Sequence, residues 1–113
     1  MAVEIRGKTD ETLNAIASAL QAYQSDHAGA RITMYRQSPY SIRVRVVDPA
    51  FESMSRGQRS RLVWSYLGRL SEDQQADVNM LLLRTPDEIE GSLANVEFED
   101  PGPPLLLKDA AAD

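Results

Sequence analysis

Residues 31–49 read RITMYRQSPYSIRVRVVDP, and the period of their apolar positions decides what kind of domain this is. Ile32 and Met34 alternate with Arg31, Thr33 and Tyr35; Gln37-Ser38-Pro39-Tyr40 supplies turn formers; Ile42, Val44 and Val46 then alternate with Ser41, Arg43 and Arg45. A period of two sends successive side chains to opposite sides of a pleated strand, so the stretch is a hairpin with one apolar face. The arginines belong to its other face, expected to be wet. Asp48-Pro49 closes the second strand, since proline has no N–H for a ladder.

On both sides of the hairpin the period becomes helical. Thr9 is the expected cap of a helix whose first turn carries Asp10 and Glu11 at the positive end of the dipole. Leu13, Ile16, Ala17, Leu20 and Tyr23 form its apolar stripe, and Ala28-Gly29 ends it near Asp26. Ser55 and Gln58 make a capping box that starts a second helix at about Arg56. Leu62, Val63, Tyr66, Leu67 and Leu70 are its buried stripe, with Arg56, Arg59, Ser60 and Trp64 off the stripe and Arg61 on its border.

Ser71 to Gln74 suits a short helical turn. The apolar run from Val78 to Arg84 reads as a strand buried on both faces, which in a small sheet implies a central position. Thr85-Pro86-Asp87-Glu88 opens a last helix, short because Gly91 and Asn95 weaken it. The predicted order is α-β-β-α-α-β-α, a single small α/β (α+β) domain with a three-stranded mixed sheet and helices on one face. Its 113 residues suffice for one core. The domain is expected over 1–95, with 96–113 a flexible Pro-, Asp- and Ala-rich tail, and removal of 98–113 is expected to cost little.

Composition narrows function by exclusion. With no cysteine and one histidine, His27, the usual thiolate, zinc and histidine-based catalytic clusters cannot assemble within the chain. There is no glycine-rich phosphate loop, no nucleophile with a histidine base and no carboxylate pair of defensible spacing, so a non-enzymatic chain without metal or cofactor is expected. The apolar runs MLLL and PLLL are far too short for a membrane span, and a cytoplasmic location is the default expectation. The net charge is −5, but residues 31–69 carry eight arginines against Asp48 and Glu52, a local +6 that leaves −11 elsewhere.

Asp48-Pro49-Ala50-Phe51-Glu52-Ser53, Arg59-Ser60-Arg61-Leu62-Val63 and Leu83-Arg84-Thr85-Pro86-Asp87-Glu88, in that order, resemble the BolA-like family over roughly residues 10–90. The resemblance implies the same three-stranded arrangement, similar in topology to the KH type II fold. It also implies a partnership with a monothiol glutaredoxin, in which the histidine of the family's Arg-His-Arg motif is implicated in holding a shared two-iron, two-sulfur cluster. That histidine is Ser60 here, the glycine after Phe-Glu is Ser53, and the hairpin turn has no cysteine or histidine. A serine hydroxyl is a poor ligand for such iron, so the resemblance points to a divergent member without the family's cluster ligation.

What remains is a protein-interaction or regulatory module. Its candidate partner-binding residues are Arg43, Arg45, Arg56, Arg59, Arg61 and Trp64, with an acidic protein as the fitting partner, a monothiol glutaredoxin among them. Two alternatives stand beside it: a nucleic-acid-binding regulator using the arginine-rich hairpin and helix, and a glutaredoxin partner that handles clusters through an altered ligand. Nucleic-acid binding is expected to be weak, because the flanking −11 repels phosphates and no stacking aromatics or G-x-x-G loop accompany the arginines. The opposing reading is that Arg59 and Arg61 pair with the chain's own acids, Glu52 or Asp87, and fix the helix to the sheet.

Overall fold

The computed structural model describes residues 3–89 and Phe98. The sheet has four strands, not three. Strand β1 (Val3–Ile5) pairs in parallel with β2 (Arg31–Ser38), β2 pairs antiparallel with β3 (Ser41–Val47), and β3 pairs in parallel with β4 (Val78–Arg84), giving the order β1-β2-β3-β4. Three residues are too short for a periodicity to register, which is why β1 is silent in the sequence. Gly7, at φ 84°, makes the left-handed turn that leads out of it.

Helix α1 (Glu11–Asp26) starts one residue later than the sequence predicts. Asp10 rather than Thr9 is its cap, accepting from the Leu13 amide at 2.9 Å. The same carboxylate pairs with Arg36 at 2.6 Å, so the cap also clamps α1 to the end of β2. After β3 a 3-10 turn (Pro49–Ser53) leads to α2 (Arg56–Leu67), then α3 (Glu72–Asp77), β4 and the short α4 (Pro86–Ile89). Both halves of the Ser55–Gln58 capping box are present, at 3.2 and 2.8 Å. No helix among the described residues is long and apolar enough to cross a membrane.

Helices α1 and α2 cover the apolar face of the hairpin. Leu13, Ile16, Leu20 and Tyr23 of α1 and Val63, Tyr66 and Leu67 of α2 pack with Ile32, Met34, Ile42, Val44 and Val46, all buried. The predicted stripes therefore hold, and Leu62, Leu70 and Trp64 add a partly buried margin.

Two corrections concern what lies beyond that core. Strand β4 is an edge strand, not a central one. Its apolar run reflects burial on two faces, Leu83 entering the main core while Leu82 joins a second cluster with Tyr35 and Phe98. That second cluster covers the hairpin face expected to be wet. Arg45 is only 6% exposed, donating to Thr33 Oγ1 at 2.9 Å and lying 5.6 Å over the Phe98 ring.

Asp48 ties the layers together. Its Oδ2 accepts the Tyr23 hydroxyl at 2.6 Å, its Oδ1 accepts the Ala50 amide at 2.9 Å, and its own amide donates to the Arg84 carbonyl at 3.0 Å. Burial raises the Tyr23 pKa, and the Asp48 carboxylate raises it further, so the phenol is held as a donor. His27 caps α1, half-buried, with its ring stacked 4.1 Å from that of Tyr23.

Phe98 is fully buried, and the rest of the expected tail, like Gly91 and Asn95, lies outside the described residues. Phe98→Ala removes an aromatic ring from a closed cluster and is expected to destabilise the fold by about 3 kcal/mol or more. Urea denaturation of the full chain reads this as a lower midpoint at unchanged slope.

Candidate functional site

The sequence-predicted arginines divide between two sides of the sheet. Alternation along β3 puts Arg43 and Arg45 on the face away from α1 and α2, with the Arg43 guanidinium 3.5 Å from the Tyr35 hydroxyl and Arg45 buried beside Phe98. Arg56, Arg59 and Arg61 lie on α2, which packs on the other face. The contiguous patch expected from Arg43, Arg45, Arg56 and Arg59 is therefore not formed. Arg56 and Arg61 are exposed, while Trp64 rests half-buried against the core.

Arg59 is the surprise on α2. Periodicity puts it off the apolar stripe, yet it is 5% exposed. Its Nε donates to the Met54 carbonyl at 3.2 Å and its Nη1 to the Leu83 carbonyl at 3.1 Å. The two terminal nitrogens grip Glu88 in a fork, Nη1 to Oε1 at 2.7 Å and Nη2 to Oε2 at 3.2 Å, and the guanidinium lies 5.4 Å over the Phe51 ring. A planar fork matched to a carboxylate is the strongest hydrogen-bonding geometry available to a side-chain pair. The predicted internal pairing of this arginine thus occurs, with Glu88 as the acid in place of Glu52 or Asp87.

Glu88 is set up for this by its local sequence. The Thr85 hydroxyl accepts the Glu88 amide at 3.2 Å and Glu88 Oε1 accepts the Thr85 amide at 2.9 Å, the reciprocal box read from Thr85-Pro86-Asp87-Glu88. Arg59 first, and then the Thr85 amide, hold its carboxyl down at about 2.

A pocket of about 180 Å³ opens beside this pair, lined by Arg56, Arg59, Leu81, Leu83 and Arg84. Its wall is the outer edge of β4. Because the Arg84 carbonyl accepts from Asp48 on the β3 side, alternation turns the backbone groups of Leu81 and Leu83 outward. Arg59 and Arg84 both spend an N–H on the outward Leu83 carbonyl, at 3.1 and 2.9 Å. Burial lowers the Arg84 pKa and neighbouring Arg56 lowers it further, with Glu88 acting the other way. Among the described residues, neither Arg56 nor Arg84 has a salt bridge.

Arg84 was not among the residues singled out from sequence. It ends an apolar strand, and nothing in the spacing of Leu83-Arg84-Thr85 says that it and Arg56, 28 positions earlier, meet. Ser60 is half-buried on α2, and the hairpin tip is marked by Tyr40, 82% exposed.

No family model matches the chain, and no curated protein does. A search of solved structures finds BolA1 from Arabidopsis thaliana, with a TM-score of 0.50 and 20% sequence identity, covering 71% of this chain and 98% of that one. At that identity the likeness shows the fold: this is a BolA-like α+β domain.

Two outcomes follow from the Arg59–Glu88 pair. Arg59→Ala removes the donor to the Met54 carbonyl from a buried position, while Arg84 still serves the Leu83 carbonyl and the Thr85 amide still serves Glu88, and it is expected to cost about 2 kcal/mol in chemical denaturation. Since the folded-state pKa of Glu88 is depressed, its contribution is present above the ordinary value of 4.5 and disappears as pH falls from there to about 2. Acid titrations followed by circular dichroism should show a shallower loss of stability across that window in Glu88→Gln than in the unmodified chain.

Proposed function

We propose that the chain is a non-catalytic, BolA-like module that binds an acidic protein partner through the α2–β4 edge, without the family's histidine-dependent iron-sulfur ligation. The observation that supports this reading is the pair Arg56 and Arg84: two guanidiniums on one pocket, with no salt bridge to any described acid, in a chain that is acidic as a whole. Charges held together without a counterion repel, and an incoming carboxylate relieves that repulsion while a basic or neutral partner does not. Arg59, spent on Glu88 and Leu83, acts as the structural floor of this surface and Arg56 and Arg84 as its reach. Ser60, in the place of the motif histidine, offers a hard hydroxyl to iron and supports the loss of cluster ligation.

The test is capture of an acidic partner by the full chain as bait. The unmodified chain and Lys8→Glu, which reverses an exposed charge just after β1 at the opposite edge of the sheet, are expected to bind alike. Arg56→Glu combined with Arg84→Glu is expected to lose binding at least tenfold, and raised salt should weaken the unmodified complex. The visible spectrum of the complex is expected to lack cluster absorption. Undiminished binding by the double variant refutes the surface, and a bound cluster refutes the loss of ligation.

A further inference from the structure

Resting on the reading of the α2–β4 edge as an acidic-partner surface, we infer that the pocket of Arg56, Arg59 and Arg84 seats a phosphate monoester in preference to a carboxylate. The pocket already shows what one carboxylate consumes. Glu88 presents two oxygens, and a single guanidinium fork, that of Arg59, satisfies both at 2.7 and 3.2 Å. With that pair neutralised, two positive charges face the same cavity, Arg56 exposed and Arg84 half-buried.

A second carboxylate would match one of these two and leave the other. A phosphate monoester carries roughly 1.5 to 2 negative charges and three acceptor oxygens at neutral pH, enough to engage both forks and balance both charges. The outward amides of Leu81 and Leu83 on the β4 edge supply further donors along the same wall, in the manner of backbone N–H groups that cradle oxyanions. Burial is the first cause that lowers the Arg84 pKa, and the neighbouring Arg56 guanidinium adds to it. A volume of about 180 Å³ admits a phosphate group with its ester carbon.

The test is a nuclear magnetic resonance titration of the isotope-labelled full chain. The probes are inorganic phosphate, a phosphoserine peptide, acetate and a short single-stranded DNA, at matched ionic strength. Inorganic phosphate and the phosphoserine peptide are expected to shift the Leu81 and Leu83 amides and the Arg56 and Arg84 Nε–H signals saturably, and acetate is expected to leave them in place. Arg56→Gln, an exposed position on α2, should weaken phosphate binding about tenfold, the loss of one charge-assisted contact. Tighter binding of the peptide than of inorganic phosphate assigns the group to a modified partner; equal binding assigns it to a free phosphate compound.

Equal response to acetate overturns the inference, as does DNA binding tighter than either phosphate probe, which would mean a diester backbone is the ligand. If the phosphate probes fail while Arg56→Glu with Arg84→Glu still loses the acidic partner, the phosphate inference falls and the partner surface stands. If phosphate binds and the double variant keeps its partner, the partner surface falls and the phosphate site stands.

Discussion

A guanidinium cannot lose its charge at any ordinary pH, so an arginine inside a protein must be surrounded by acceptors or the domain does not form. Arg59 meets that requirement with one side chain placed where four pieces of chain converge. It takes the Met54 carbonyl that follows the 3-10 turn, the outward carbonyl of β4, the carboxylate that starts α4, and the face of Phe51. The position of α4 is thereby linked to that of α2, and the end of the β4 edge is closed to other strands. An edge strand with an occupied carbonyl and a charge across it is a poor template for indiscriminate pairing. Arg56 and Arg84 line the same pocket as Arg59 at that corner.

Asp48 does comparable work at the start of the same 3-10 turn. It is a buried carboxylate whose contacts run to α1 through Tyr23, to the 3-10 turn through Ala50 and to β4 through its own amide. Tyr66 repeats the pattern with Asp26 at 2.6 Å, and the rings of Tyr23, His27 and Tyr66 stack or meet edge-on around the same corner. Aromatic hydroxyls donating to carboxylates fix the angle between α1 and α2 more narrowly than leucine packing does, since a hydrogen bond has direction and apolar contact has little. The two buried polar centres, Arg59 and Asp48, therefore orient the helices and strands that apolar burial merely brings together.

The second face of the sheet shows how a neutral-looking pattern changes meaning in three dimensions. Thr33, Tyr35 and Arg45 alternate with core residues and read as solvent-facing, yet all three are buried. Phe98, remote in sequence, packs on Tyr35 together with Leu82 and the partly buried Met80 and Ile89, and its ring lies beneath Arg45. Arg45 tolerates burial because Thr33 accepts one of its N–H groups and the Phe98 ring offers its negative face. Burial thereby withdraws Arg45 from the surface, while Arg56 and Arg61 of α2 are exposed.

The sequence by itself determined the elements whose physical cause is local. Period-two alternation in 31–47, the helical stripes from Leu13 to Tyr23 and from Leu62 to Leu67, the Ser55–Gln58 and Thr85–Glu88 boxes and the proline stops all act over a few residues, and the structure contains each of them. The BolA-like order of motifs was legible for the same reason. Tertiary structure alone decided what depends on distant pieces of chain. Strand β1 is three residues long and exists through its pairing with β2, and Asp10 displaces Thr9 as cap because Arg36 lies 26 positions away on the same carboxylate. An apolar run such as Val78 to Arg84 reports that two faces are covered and cannot report whether an edge is. Arg59 looked like a surface residue because its neighbours' periodicity said so, and became a buried one because Glu88 and the Leu83 carbonyl arrived from β4 and α4. The candidate site has the same origin: Arg56 and Arg84 are ordinary arginines in sequence, and only the parallel placement of β4 beside β3 brings the second within reach of the first.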